Sequence, residues 1–247
     1  MRLVLALILA LLGSRAEAAC RQALALGLDV SGSVDSGEYR MQLEGLANAL
    51  EHPEVVDALL QMPEVPVRIA VWEWSGLEQE RLLLDWTEIT DRATLARAAA
   101  TLRGTGRAFD AGATALGQAM RFGSALLAGQ NGCWRRTIDI SGDGKANMGP
   151  RPQDVRPTLP PGITLNALVI GADSRGEQDR RMTEIGELVS YFRAYVILGP
   201  DAFVETALGF AEYEAAMVRK LKRELQGLVI GALPEGGVSG GAERARP

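Results

Sequence analysis

Asp29-Val30-Ser31-Gly32-Ser33 places one carboxylate and two hydroxyls within a single short stretch, and all of them are hard oxygen donors. Further along, Gly142-Asp143-Gly144 supplies a second carboxylate between glycines that let the backbone turn tightly. Between the two lies Thr114, in Gly112-Ala113-Thr114-Ala115-Leu116-Gly117, a hydroxyl just ahead of a helical stretch. An oxygen-only set suits a hard divalent cation such as Mg²⁺, Mn²⁺ or Ca²⁺ over zinc, which takes imidazole and thiolate. Taken alone, the pentapeptide reads first as a turn and helix-cap sequence, because Asp and Ser are ordinary residues of both. Its weight comes from the company of Thr114 and Asp143.

Composition removes several competing chemistries. The one histidine, His52, sits in Glu51-His52-Pro53 and reads as a turn residue, leaving no partner for a His-based metal cluster or a Ser-His-Asp triad. Lys plus Arg number 26 against 31 Asp plus Glu, a net charge of −5, and aromatic residues are 5%. With no basic run, such a chain lacks the charge and stacking surface for gripping a phosphate backbone, so no nucleic-acid partner is expected. The 247 residues, 47% of them hydrophobic, can fill one domain.

The elements that must position these residues alternate strand and helix. Ala23–Leu28 is an unbroken apolar run, the pattern of a parallel strand covered on both faces, and it ends at Asp29. Helical spacing follows over 38–50, with Asp35 and Ser36 available as caps, and again over 54–62. Segments 68–74 and 81–86 flank Ser75-Gly76 and are expected to pair antiparallel. Thr90-Asp91 caps a helix over 92–103, and another spans 115–128. Strands are expected at 136–141, 163–170 and 195–198, with helices at about 177–189 and 202–226. This predicts a doubly wound α/β fold: a mostly parallel sheet with one antiparallel edge strand and helices on both faces. Such sheets place ligands beyond the carboxyl ends of their strands, where Asp29 and Asp143 stand.

Both ends of the chain read differently from this body. Met1-Arg2 precedes the apolar run Leu3–Leu12, long enough for a signal h-region and too short for a bilayer of ~30 Å. Ala16-Glu17-Ala18 fits an A-x-A cleavage site, so residues 1–18 are expected to be a signal peptide and the product periplasmic or secreted. Glu17 occupies a place where a lipoprotein signal needs an apolar residue, which argues against lipidation of Cys20. The domain is expected over 19–226, and 227–247, with Gly236-Gly237 and Gly240-Gly241, as a disordered tail. No transmembrane span is expected in the mature chain, Leu228–Leu233 being too brief.

The order Asp-x-Ser-x-Ser, Gly-x-Thr, then apolar strand and Asp-Gly resembles the von Willebrand factor A domain with its metal-ion-dependent adhesion site, and the likeness runs from about 22 to 225. Carried over, it makes Asp29, Ser31, Ser33, Thr114 and Asp143 the metal-site residues. It implies a cation bound directly by hydroxyls and partly through water by the aspartates, with one position left for an acidic group of a partner. Leu28–Asp35, Trp72–Gly76, Ile138–Gly144 and Leu168–Gly171 look more narrowly like a secreted bacterial von Willebrand A-like family of unknown function. Many von Willebrand A domains carry a second Thr two residues after the first, a place held here by Leu116.

The two cysteines bear on the same topology. Cys20 lies nine residues before Asp29 and Cys133 ten before Asp143, so if both aspartates end neighbouring parallel strands the thiols meet at the opposite pole. In an exported protein this predicts a Cys20–Cys133 disulfide.

Other residues receive plainer readings. Trp72, Trp74 and Trp86 read as packing, Asp139 as a buried hydrogen-bonding or Arg-paired group, and Arg219, Lys220, Lys222 and Arg223 as a solvated basic face. Glu73, between two tryptophans, has no second carboxylate set opposite it by any pattern. The function expected first is a non-enzymatic module that captures a protein presenting Asp or Glu through a bound cation, with Mg²⁺ the first choice. A metal-dependent hydrolase and an envelope scaffold with a structural metal are the alternatives. No His or Lys stands beside the Asp29 motif as a general base, which weighs against the hydrolase.

Overall fold

The computed structural model describes residues 20–109, 112–171 and 178–226, with the side chains of 178–181 excepted. The signal peptide expected over 1–18 and the tail expected over 227–247 lie outside the described residues. In chain order the elements are β1 (Cys20–Asp29), α1 (Ser36–Glu51), α2 (Pro53–Leu59), β2 (Val67–Trp74), β3 (Glu80–Ile89), α3 (Arg92–Arg103) and α4 (Leu116–Leu127). They continue with β4 (Cys133–Gly142), the single turn α5 (Pro152–Val155), β5 (Ile163–Ile170), α6 (Gln178–Tyr195), β6 (Val204–Ala207) and α7 (Tyr213–Gln226). The strands form one sheet in the order β3-β2-β1-β4-β5-β6, parallel throughout except for the antiparallel edge pair β2/β3. This is the expected doubly wound fold. Connections run outward from β1 on one side and from β4 on the other, so the topological switch point, where α/β sheets open a crevice, falls between these two central strands.

Apolar residues on both faces of β1 follow from that central position. Leu24, Leu26 and Leu28 join Leu43 and Leu46 of α1 and Met217 and Leu221 of α7 in one core. Ala23 and Ala25 face the other core, with Trp72, Ile138, Met120 of α4 and Phe192 of α6. Gly27 is required by packing: a methyl group there would run into the Trp72 indole, whose far side is already held against Gly123. Gly27→Ala is therefore expected to cost ~1–3 kcal/mol by overpacking, read as a lower urea midpoint with an unchanged m-value. Asp35 caps α1 through Gly37 N–H and Glu38 N–H, and Glu38 returns the bond to Asp35 N–H, a capping box that starts the helix right after the Asp29–Ser33 loop.

The carboxyl-terminal third corrects the sequence reading. Residues 195–198 are not a strand: α6 runs on to Tyr195, Val196 is buried in the core, and Leu198 makes an isolated antiparallel bridge to Leu165. The sixth strand is instead Val204–Ala207, inside the stretch expected to be helical from 202, and α7 begins at Tyr213. The exposed edge of β5 offers unpaired backbone groups, and pairing of Val204 with Ala167 through Ala207 with Ile170 outweighs helical spacing over so few residues.

The pole opposite the Asp29 end carries the expected disulfide. Cys20 and Cys133 are register partners on β1 and β4, with Cα atoms 4.4 Å apart, and they are bonded.

Candidate functional site

Asp29 ends β1 and Asp143 follows the last residue of β4, so adjacent parallel strands deliver both carboxylates to the crevice at the switch point. Asp29 is fully buried, and its Oδ1 accepts from Ser31 N–H at 2.8 Å, which folds the loop back over the strand end. Ser31 Oγ and Ser33 Oγ lie 3.3 Å apart, and Ser33 Oγ donates to Asp143 Oδ1 at 2.7 Å. Thr114 reaches the same place from the loop before α4: Gly32 N–H donates to Gly112 O at 2.8 Å, and a Cβ on Gly144 would stand 3.8 Å from Thr114 Oγ1. Asp29, Ser31, Ser33 and Asp143 thus form one group, with Thr114 beside Gly144.

The electrostatics of this group are those of a site short of positive charge. Burial, then the nearby Asp143 carboxylate, push Asp29 up to about 8 against the hydrogen bonds from Ser31. Asp143 is also raised, by burial, against the hydrogen bond from Ser33. Asp29 Oδ2 is buried with no hydrogen-bond partner among the described residues. A buried carboxylate oxygen left bare beside a second carboxylate is costly. A divalent cation removes that cost, and the donors present are the hard oxygens it takes. The nearest lysine in sequence, Lys145, turns to Glu187 at 3.4 Å.

Several residues that hold the site were not legible as such. Asn147 accepts from Thr114 N–H at 2.8 Å, and its own N–H donates to Thr114 O at 3.1 Å, pinning the threonine from both sides. Gln42, buried in α1, donates to Asp29 O at 2.9 Å. Arg107 donates to Val34 O at 2.6 Å and Val30 O at 2.8 Å, bracketing the hydroxyl loop. Leu116, the place where many von Willebrand A domains carry a second threonine, is buried at the start of α4.

Two clusters outside the site also answer earlier expectations. Glu73 is buried between the Tyr39 hydroxyl, which donates to it at 2.9 Å, and Arg81, paired at 2.9 Å, while its strand neighbours Trp72 and Trp74 pack into the core on the opposite face of the sheet. Lys220, expected on a solvated face, is fully buried and pairs with Asp139 and Glu224, both at 2.7 Å. The partner of Asp139 is therefore a lysine on α7 and not an arginine. Arg219 and Lys222 do lie at the surface, paired with Glu205 and Glu54.

No curated protein matches the chain. Its fold matches 214 solved chains. They include PilB minor pilin from Streptococcus sanguinis, at 12% identity and TM-score 0.61, covering 88% of this chain and 64% of that one. A von Willebrand factor type A protein from Catenulispora acidiphila aligns at 15% identity and TM-score 0.52, over 85% and 43%. Proximal thread matrix protein 1 from the mussel byssus, with a zinc-occupied MIDAS motif, aligns at 13% identity and TM-score 0.55, over 84% and 46%. At these identities the likeness is one of fold, and this chain spans half or less of the first matched structures, 49%, 30% and 47%. Among the described residues no helix is long and apolar enough to cross a membrane. With a von Willebrand factor A-like architecture and residues 19–229 matching its model, the chain belongs to the family described as protein of unknown function DUF1194.

Proposed function

We propose that the chain is an exported, metal-dependent protein-binding module of adhesion type. Asp29, Ser31, Ser33, Thr114 and Asp143 hold a divalent cation, Mg²⁺ first and Mn²⁺ or Ca²⁺ as alternatives, and an Asp or Glu carboxylate of a partner completes its shell. The observation that carries this reading is the bare, buried Asp29 Oδ2 beside Asp143, within a ring of hydroxyls. Hydroxyl donors bring no charge, so the ion keeps its attraction for an incoming anion. Leu77 and Met148 are exposed near Thr114 and Asn147 and supply apolar contact area for the segment that brings the carboxylate. In this role the ion is an adaptor between two proteins and activates no water.

Metal binding is tested by thermal unfolding. At a hundredfold excess over its Kd, Mg²⁺ is expected to stabilise the chain by ~2.7 kcal/mol, a rise in Tm of roughly 5–10 °C at this size. Asp29→Asn keeps an acceptor for Ser31 N–H and is expected to fold but to show no Mg²⁺ shift. A shift of equal size in wild type and variant sinks the assignment. Partner capture from an envelope extract is expected to be lost with EDTA and with Asp29→Asn; capture indifferent to both removes the adaptor role.

A further inference from the structure

The sheet face beneath α1 and α7 is apolar along β2, along β1 from Leu24 onward and over the carboxyl half of β5. There Leu26, Leu28, Leu168 and Ile170 belong to the core shared with those helices. Toward the amino ends of the same strands the face turns polar, with Gln22 on β1, Arg135 and Thr137 on β4, and Thr164 and Asn166 on β5. These are lateral neighbours: Gln22 is in register with Arg135, and Thr137 with Thr164. Parallel strands covered on both faces are ordinarily apolar along their length, so a polar level running across three adjacent strands departs from that rule. It lines a cavity of about 700 Å³, walled on the other side by Phe203 and by Arg223 and Glu224 of α7.

Two complementary kinds of group line this space, cationic donors open to solvent and buried acceptors with no donor. The guanidinium of Arg135 has no hydrogen-bond or ion-pair partner among the described residues, and Arg223 stacks 3.9 Å over the Phe203 ring without a carboxylate partner among them. Facing these donors are two buried acceptors. Gln22, 1% exposed, donates its amide N–H to Thr137 Oγ1 at 2.9 Å and leaves Oε1 without a donor. Glu224, 4% exposed, receives Lys220 and Asn166 on Oε1, both at 2.7 Å, and leaves Oε2 without one. A simple anion meets the arginines but is repelled by Glu224 and by Asp201, an exposed carboxylate that also lines the space, and a simple cation meets the reverse. A ligand carrying both charged groups on one carbon satisfies all four groups.

We propose that this cavity is a second binding site, for a small zwitterion of the α-amino acid class. The carboxylate is received by Arg135 and Arg223, and the ammonium donates to Glu224 Oε2 and Gln22 Oε1. The Phe203 ring and the remaining volume accommodate the side chain, within the size range of small-molecule pockets. The site sits at the amino ends of the strands, across the sheet from Asp29 and Asp143, and needs no cation.

The test is saturation-transfer NMR on the mature chain in EDTA, with a mixture of the common L-amino acids, followed by calorimetric titration of those that respond. At least one free amino acid is expected to bind, with its N-acetyl and methyl ester forms weaker by about tenfold or more. Arg135→Gln and Arg223→Gln are each expected to weaken binding by about tenfold, the first with the thermal melt unchanged because its guanidinium has no partner among the described residues, the second with a small fall in Tm from loss of the stack on Phe203. Absence of saturation transfer from every amino acid overturns the proposal. So does binding that survives both substitutions or is indifferent to esterification. Because EDTA is present throughout, failure here leaves the metal reading standing, and failure of the metal reading leaves this one standing.

Discussion

Loss of the Cys20–Cys133 bridge is expected to lower the unfolding free energy by ~4–5 kcal/mol in the chain-entropy account. The two residues are 113 apart in sequence, so the bond removes a long-loop closure from the unfolded ensemble. In the native state it asks for little adjustment, because β1 and β4 are hydrogen-bonded neighbours that set the two Cα atoms 4.4 Å apart in register. The measurement is urea unfolding of Cys20→Ser/Cys133→Ser beside the oxidised wild type. A lower midpoint is expected, with a somewhat larger m-value as the unfolded chain expands. Equal midpoints remove the bridge as a stabilising element. Because it lies at the pole opposite Asp29 and Asp143, the Mg²⁺-dependent rise in Tm is expected to persist in the double variant, which separates fold stability from site geometry.

Four of the candidate site's residues, Asp29, Ser31, Ser33 and Asp143, were legible because they follow the ends of strands that announce themselves, and Thr114 because it stands just ahead of a helix. Ala23–Leu28 is an unbroken apolar run and Ile138–Ser141 alternates apolar with polar residues, and Asp29 and Asp143 follow these stretches directly or one glycine later. The same contrast made α1 and α3 readable to within a residue or two, since Asp35 and Asp91 cap them where expected. What sequence left out depends on contacts between distant segments. Asn147, Gln42 and Arg107 look like ordinary polar residues of a loop or helix until their partners, Thr114, Asp29 and the Val30–Val34 turn, are folded against them. The four-residue strand β6 carries too few positions to show a period of two, and only the edge of β5 selects it.

The buried ion pair shows the same limit with a clue attached. Asp139 interrupts an apolar strand and so calls for a partner, while Lys220 sits among Arg219, Lys222 and Arg223, three residues whose charges reach the surface. Nothing in the local pattern singles out Lys220 except its place between Met217, Leu221 and Glu224, all buried on the inward stripe of α7. Two residues unexplained one at a time, a carboxylate in a strand and a cation on a helix's apolar side, explain each other once α7 lies across β4.

Lys220→Met is accordingly expected to cost ~3–5 kcal/mol, because it leaves two buried carboxylates without their cation. Burial alone would pull the Lys220 ammonium down, but Asp139 and Glu224 more than offset it and hold the group above its ordinary range. Burial pushes Asp139 up to about 7, opposed by Lys220 and reinforced by Glu224. The sign of the pH dependence follows. A carboxyl group that holds its proton more tightly in the native state gives stability that is full below its unfolded pKa of ~3.9 and is lost as pH rises through the native value. Without Lys220 the opposing pull disappears and that window extends upward, so the variant's deficit is expected to be largest near pH 8 and to shrink toward pH 5. Asp139→Asn in the same background removes one of the stranded charges and is expected to restore part of the loss near neutral pH. Urea midpoints at pH 5, 6.5 and 8 decide the matter: a deficit under ~1 kcal/mol, or one that is constant across the series, means that the triad is not held as a charged group within the core.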